Sequence, residues 1–191
     1  MKKPMQEHIL EVASSLFQTR GINATGVDTI VAEADIAKMT LYKYFRTKEE
    51  LILAVLRQAD EEMRSWIAKR LAQPNVKPSE KLLKFVDAME EWINAPDFSG
   101  LPFQKASSEF PQAENPIHRF SAEISAGFRA YVAELAAESG AKDPQALAMQ
   151  LSMLIEGAAM TEQIARGSGA AASARKAAAT LIASATGKPI R

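Results

Sequence analysis

No cysteine occurs in the 191 residues. That excludes a disulfide framework and a thiolate zinc site, and it fits a reducing compartment. No run of about 18 uninterrupted apolar residues is present, so no membrane span is expected. The opening residues, Met1-Lys-Lys-Pro-Met-Gln-Glu-His8, turn polar at once and lack the apolar stretch of a secretory leader. A soluble, cytoplasmic protein is the expectation. An excess of charge of either sign is missing too, with 23 Lys and Arg against 23 Asp and Glu. Any polyanionic partner must therefore be met by a local patch rather than by the overall balance. No Ser/His/Asp set and no Gly-rich phosphate loop stands out. His118, with Glu109 and Glu114 nearby in sequence, falls short of the ligand number and spacing of a zinc site. Neither an enzyme nor a metal or cofactor site is expected.

What is present is helical periodicity. Proline is nearly absent from the long apolar-periodic segments, and no period-2 alternation is sustained, so the chain reads as all-α with about nine helices. The first is expected over 4–20, with Pro4 in its first turn, Gly21 past its end, and Met5, Ile9, Val12, Leu16 and Phe17 inside. Thr25 with Asp28 reads as the cap of a second helix, and Thr47 with Glu50 as the cap of a fourth that runs to about residue 72. Gln73 to Pro78 is the clearest break. Helices over about 79–94, 102–110, 117–138, 144–166 and 170–185 follow, punctuated by Pro and Gly.

Between the second and fourth helices, Asp35-Ile36-Ala37 forms a turn into a short third helix over about 38–45. Between Asp35 and Glu49 there are four cations, Lys38, Lys43, Arg46 and Lys48, and no anion. Lys38, Thr40, Tyr42, Lys43, Tyr44, Arg46 and Lys48 lie on or beside one exposed surface. This is the layout of a helix-turn-helix that enters the DNA major groove. Lys38, Met39, Thr40 and Lys43 are candidates for reading base edges, although the lysines serve equally well on phosphates. Lys48 and Thr25, each at a helix start, are candidates for phosphate contact. Lys2 and Lys3 are more readily a solvated terminus than a minor-groove arm.

The segment Thr40-Leu-Tyr-Lys-Tyr-Phe-Arg-Thr-Lys-Glu-Glu-Leu51 resembles the recognition-helix and fourth-helix signature of TetR-family transcriptional regulators. The resemblance is densest over Gly21 to Leu56, and Gly100 to Pro111 resembles a stretch of one subset of the family's ligand-binding domains. It departs from the family at Asp35, where Gly is usual, and at Ala37, where a Ser or Thr cap is common. It implies phosphate contacts from the Tyr42 and Tyr44 hydroxyls. It further implies a DNA-binding domain over residues 1–48 and a ligand-binding and dimerisation domain over 49–191, linked by the fourth helix.

The second half offers aromatic and Met side chains spread over four helices. Most of them are explained by an ordinary core, but a pocket between bundle helices has the same lining. With the resemblance in view, Phe85, Met89, Trp92, Phe103, Phe110, His118, Phe128, Met153, Glu156 and Met160 are the candidate ligand residues. Glu109 and Gln163 are further polar groups able to orient a ligand. Leu151, Leu154, Ile155, Ala158 and Ala159, with Ala174, Ala177, Ala178, Leu181, Ile182 and Ala185, form small-residue surfaces on the last two helices. These suit a symmetric four-helix interface, or internal packing.

The resulting expectation is a ligand-responsive repressor that binds a near-palindromic double-stranded DNA operator as a homodimer and is released by a small, largely apolar effector. The alternative is an all-helical ligand carrier or protein-interaction module with a relic helix-turn-helix.

Overall fold

A computed structural model of the chain describes residues 4–72 and 77–187. Among these residues the secondary structure is nine α-helices and no strand: α1 Met5–Arg20, α2 Val27–Glu33, α3 Lys38–Tyr44, α4 Lys48–Leu71, α5 Pro78–Asn94, α6 Pro102–Glu109, α7 Pro116–Glu138, α8 Pro144–Ile164 and α9 Ala170–Thr186. The all-α reading from periodicity holds, and Pro or Gly stands at or close to the ends of α1 and of α5 to α9. Gly21 follows α1 at φ +94°, a backbone conformation that glycine adopts without a Cβ penalty. Asp143 caps α8 by accepting the Ala146 N–H at 3.0 Å.

The chain divides into two compact units. The first takes the residues up to Glu62 together with Pro102–Ile124, so it extends past residue 48 and draws in α6 and the start of α7. The second takes Met63–Leu101 and the residues from Ser125 onward. The long helices α4 and α7 contribute to both units.

In the first unit α2 packs against both α1 and α3. Ile9, Ala13, Leu16 and Phe17 are the buried positions of α1. Met5, expected inside, is exposed, and Val12 is only half-buried. The stripe is rotated toward Ala13, whose small side chain lets a neighbour approach. Ile30, Leu41, Phe45 and Leu51 complete this core.

In the second unit α8 and α9 form a closely packed pair, and α5 lies against both. Leu82, Phe85, Val86, Met89 and Ile93 of α5 are all buried, each contributing about 1.5–3 kcal/mol of transfer free energy. The Phe85 ring meets those of Phe128 and Tyr131 at centroid distances of 5.6 and 6.2 Å. Leu151, Ile155, Ala158, Ala159, Ala178 and Ile182, expected on an interface between copies, are buried within the chain itself. They are spent on packing within this unit. The apolar side chains that α8 leaves in solvent are instead Met149, Met153, Met160 and Ile164.

Candidate nucleic-acid interface

Seven residues make α3, and its polarity is one-sided. Leu41 points into the core, and Phe45 just beyond the helix is buried beside it. The remaining positions are left to solvent in varying degree. Met39 is 79% exposed and Tyr42 38%, while Lys38 and Lys43 are exposed and Thr40 and Tyr44 half-buried. Neither α2 nor α3 has a side-chain cap. Between them Asp35 sits at φ +51°, the left-handed turn for which Gly is the usual choice.

Lys38 is not idle on this surface. Its ammonium lies 2.7 Å from an Asp28 carboxylate oxygen, and both groups are exposed. That hydrogen bond, together with the Asp28 charge, raises the Lys38 pKa above its ordinary value. Pairs of this kind contribute little to stability. Their effect here is to occupy a cation on the prospective DNA face.

The geometry overturns Thr25 as the cap of α2 and shows what Thr25 and Lys48, both expected on phosphates, are bonded to within the chain. Thr25 does not cap α2. Gly26 holds the N-cap position, and Thr25 is fully buried with its hydroxyl donating to the Gly21 carbonyl at 2.6 Å. A hydroxyl turned back onto the chain four residues earlier is not presented to a phosphate. Lys48 is half-buried, and its Nζ donates to the Ile22 carbonyl at 2.6 Å. Burial lowers its pKa, and the nearby Glu109 charge opposes that shift. The fourth-helix cap holds in part. The Glu50 N–H donates to Thr47 Oγ1 at 3.0 Å, but the Glu50 carboxylate reaches past Thr47 to accept the Arg46 N–H at 2.8 Å.

Several residues that matter here left no local signal. Glu109, at the end of α6, was expected to orient a ligand. Its carboxylate instead accepts the backbone N–H groups of Ile22 and Asn23 at 2.9 and 2.6 Å, and the Asn23 side-chain amide donates to the Glu109 carbonyl at 3.1 Å. Lys105 of α6 donates to the Gln18 carbonyl at 2.7 Å. His8 is half-buried with Nε2 3.0 Å from the Ala34 carbonyl at the end of α2. All these partners lie far away in sequence, so no spacing rule finds them. Lys2 and Lys3 lie outside the described residues.

The candidate ligand residues divide between the units. Phe103, Phe110 and His118 belong to the first. His118 Nδ1 lies 2.9 Å from the Phe110 carbonyl and 3.3 Å from Ser107 Oγ, so this imidazole is engaged locally. Phe85, Met89, Trp92, Phe128, Met153, Glu156 and Met160 belong to the second. Met153 and Met160 do not line an interior: they are 57% and 42% exposed. Trp92 packs edge-on against Phe98 at 4.9 Å. Glu156 Oε1 and, one helical turn earlier, Ser152 Oγ are buried without a hydrogen-bond partner. Ser152 was not singled out in the sequence, where one serine in an apolar helix gives no such sign.

An apolar recess in the first unit is lined by Ser14, Phe17, Gln18, Ile22, Ile52, Val55, Leu56, Pro102 and Lys105. None of the ten candidate ligand residues lines it. Among the described residues no three His, Cys, Asp or Glu side chains are grouped to hold a metal ion, and no helix is long and apolar enough to cross a membrane.

Residues 9–55 match the sequence profile of bacterial regulatory proteins of the tetR family. The chain is similar to a TetR-family transcriptional regulator of Streptomyces coelicolor, SCO4454, whose crystal structure superposes with a TM-score of 0.88. The two are 28% identical, and the match covers 95% of this chain and 96% of that one. It is 22% identical over 152 residues to the HTH-type transcriptional regulator YjdC of Escherichia coli, covering 80% of each. It is 30% identical over 113 residues to the HTH-type transcriptional repressor KstR2 of Mycolicibacterium smegmatis, covering 56% of this chain and 53% of that one.

Proposed function

Because the chain belongs to the TetR family of transcriptional regulators, which bind DNA and are not enzymes, we propose that it is a cytoplasmic repressor released from its operator by a small, largely apolar effector. The observation that carries this reading is the outward face of α3. An apolar side chain at 79% exposure, Met39, stands beside Tyr42 and Lys43 on a helix whose other side is locked into the core by Leu41. Such a face fits a groove that offers thymine methyls, base-edge acceptors and phosphates together. Met39, Thr40, Lys38 and Lys43 face the bases or adjacent phosphates, and the Tyr42 and Tyr44 hydroxyls donate to the backbone.

One α3 reads a few base pairs, so a homodimer is needed to span two half-sites about 34–36 Å apart or farther. The exposed stripe of Met149, Met153, Met160 and Ile164 on α8 supports self-association through the last two helices. In this reading residues 1–48 bind DNA and 49–191 bind effector and partner. The unpartnered Glu156 Oε1 and Ser152 Oγ support an effector with a donor group on an otherwise apolar body. The effector releases DNA by preferring a dimer whose half-site spacing is wrong for the operator.

Selection of bound fragments from genomic DNA, followed by mobility shift with wild type and Tyr42→Ala, tests the reading. Loss of a hydroxyl-to-phosphate bond is worth about 1.5 kcal/mol, or roughly tenfold in affinity per half-site. Equal retention by both proteins, or no fragment recovered, overturns it.

A further inference from the structure

The turn between α1 and α2 is held from outside the three-helix motif. Gly21 opens it in a left-handed conformation, and a Cβ there would sit 3.4 Å from Glu109 Oε1. The next two N–H groups, of Ile22 and Asn23, both go to the Glu109 carboxylate. The Asn23 side chain returns a bond to the Glu109 carbonyl. On the Ile22 carbonyl, Lys48 supplies the opposing contact. Thr25 then closes onto the Gly21 carbonyl, and α2 begins at Val27.

We propose that Glu109 is a positioning residue for DNA recognition. It fixes the turn from which α2, and through it the packed α3, is presented, and it touches no DNA itself. The proposal rests on the DNA-binding reading above. Its physical basis is the accessibility of the turn. Asn23 is exposed, so water readily replaces the carboxylate as acceptor for its N–H when Glu109 is altered. Ile22 is buried, and the amide oxygen that Glu109→Gln retains can still accept its N–H, so stability changes little while the direction in which the turn is held is lost. Two charge-assisted bonds converging on adjacent amides constrain a turn far more than two waters do. The sign of the effect is diagnostic. Removing an anion close to a DNA-binding face strengthens binding if charge is all that matters. Removing a brace weakens it.

The test compares wild type, Glu109→Gln and Tyr42→Ala. Glu109→Gln keeps the shape and one acceptor but turns an NH₂ group toward an N–H donor. Three quantities are read: hydrogen exchange of the Ile22 and Asn23 amides in the free protein, the thermal midpoint, and affinity across a salt series for the duplex that wild type recovers from genomic DNA. Exchange at the Asn23 amide is expected to accelerate about tenfold or more, with the Ile22 amide affected less, and duplex affinity to fall about tenfold. The thermal midpoint and the salt slope are expected to stay at their wild-type values, because no phosphate contact is removed. Unchanged or increased affinity, unchanged exchange, or a large drop in the midpoint each overturns the proposal. If wild type binds a duplex, Tyr42→Ala loses it and Glu109→Gln keeps it, the positioning role alone fails. If wild type recovers no duplex, the DNA-binding reading fails and takes this proposal with it.

Discussion

Lys43→Ala separates a phosphate-holding role from a base-reading one, and the structure sets the size of the effect. Lys43 is exposed on α3 between Tyr42 and Tyr44. If its ammonium neutralises one phosphate, it releases about 0.9 of a counterion, and a dimer releases about 1.8. The slope of log affinity against log salt should then be shallower by about 1.8 in the variant. Raising salt from about 50 to about 200 mM is a fourfold change, so the affinity gap between wild type and variant should shrink about twelvefold over that range. Fluorescence anisotropy of a labelled operator duplex across the salt series reads this directly. Lys38→Ala is the internal contrast. Its ammonium already sits 2.7 Å from Asp28, so binding a phosphate exchanges one anion for another and releases fewer ions. Its slope change should be clearly smaller than that of Lys43→Ala. It should grow to the full value in an Asp28→Asn background, where that carboxylate no longer competes. Parallel salt lines for wild type and Lys43→Ala would refute the phosphate assignment and place Lys43 on a base edge. Equal slope changes for both lysines would refute the competition assigned to Asp28.

Two further predictions concern the second unit. Glu162 is buried where α8 turns into α9, and its carboxylate accepts from Ser168 Oγ and from the backbone N–H groups of Gly167 and Ala170 at 2.8–2.9 Å. The Ser168 hydrogen bond first, with the backbone bonds behind it, holds its pKa below the ordinary 4.5. The unfolded chain therefore takes up a proton before the folded one does. The stabilisation is complete above about pH 4.5 and is lost as pH falls through the depressed folded value. Urea unfolding between about pH 3 and 6 should show this slope, and Glu162→Gln should flatten it; an unaltered pH profile in the variant refutes the assignment. Phe85→Ala should cost about 3–5 kcal/mol and lower the thermal midpoint by roughly 10 °C, because the ring is fully buried against Phe128 and Tyr131. A loss below about 1 kcal/mol would mean that the ring borders open space, which would favour its expected place in a ligand pocket.

How far the sequence could be read depended on whether the cause of a feature is local. The helix count and ends were legible because Pro, Gly and the 3.6-residue period act within a few residues of where they stand. The exposed α3 surface was legible for the same reason. Leu41 and Phe45, one turn apart, fix the inward side, and the polar residues take what remains. Thr25 shows where that logic stops. A threonine three residues before an aspartate is a good cap signature, yet the cap is Gly26, because the hydroxyl found a carbonyl behind it in the same turn. Both outcomes satisfy one donor with one acceptor. The choice between them goes with the path of the backbone through Gly21, and the two amides that follow Gly21 are bonded to Glu109, 88 positions from it along the chain.

Helix α8 marks a different limit. Its apolar residues are spread around the whole circumference, so no single stripe announces which side is buried. Leu151, Ile155, Ala158 and Ala159 lie inside, and Met149, Met153, Met160 and Ile164 lie outside. What selects the first set is α9, whose Ala-rich face admits close approach by branched or small side chains. The flexible methionines are then left on the far side. An exposed methionine or isoleucine presents apolar surface, and these four residues lie along one side of the helix, where water does not favour them. The same property of Met, an unbranched side chain that adapts to an irregular partner, made Met153 and Met160 plausible in a ligand pocket and suits them to a surface that a second chain covers. Composition alone cannot distinguish these roles. Burial does, and for Met153 and Met160 it decides against an interior pocket within one chain.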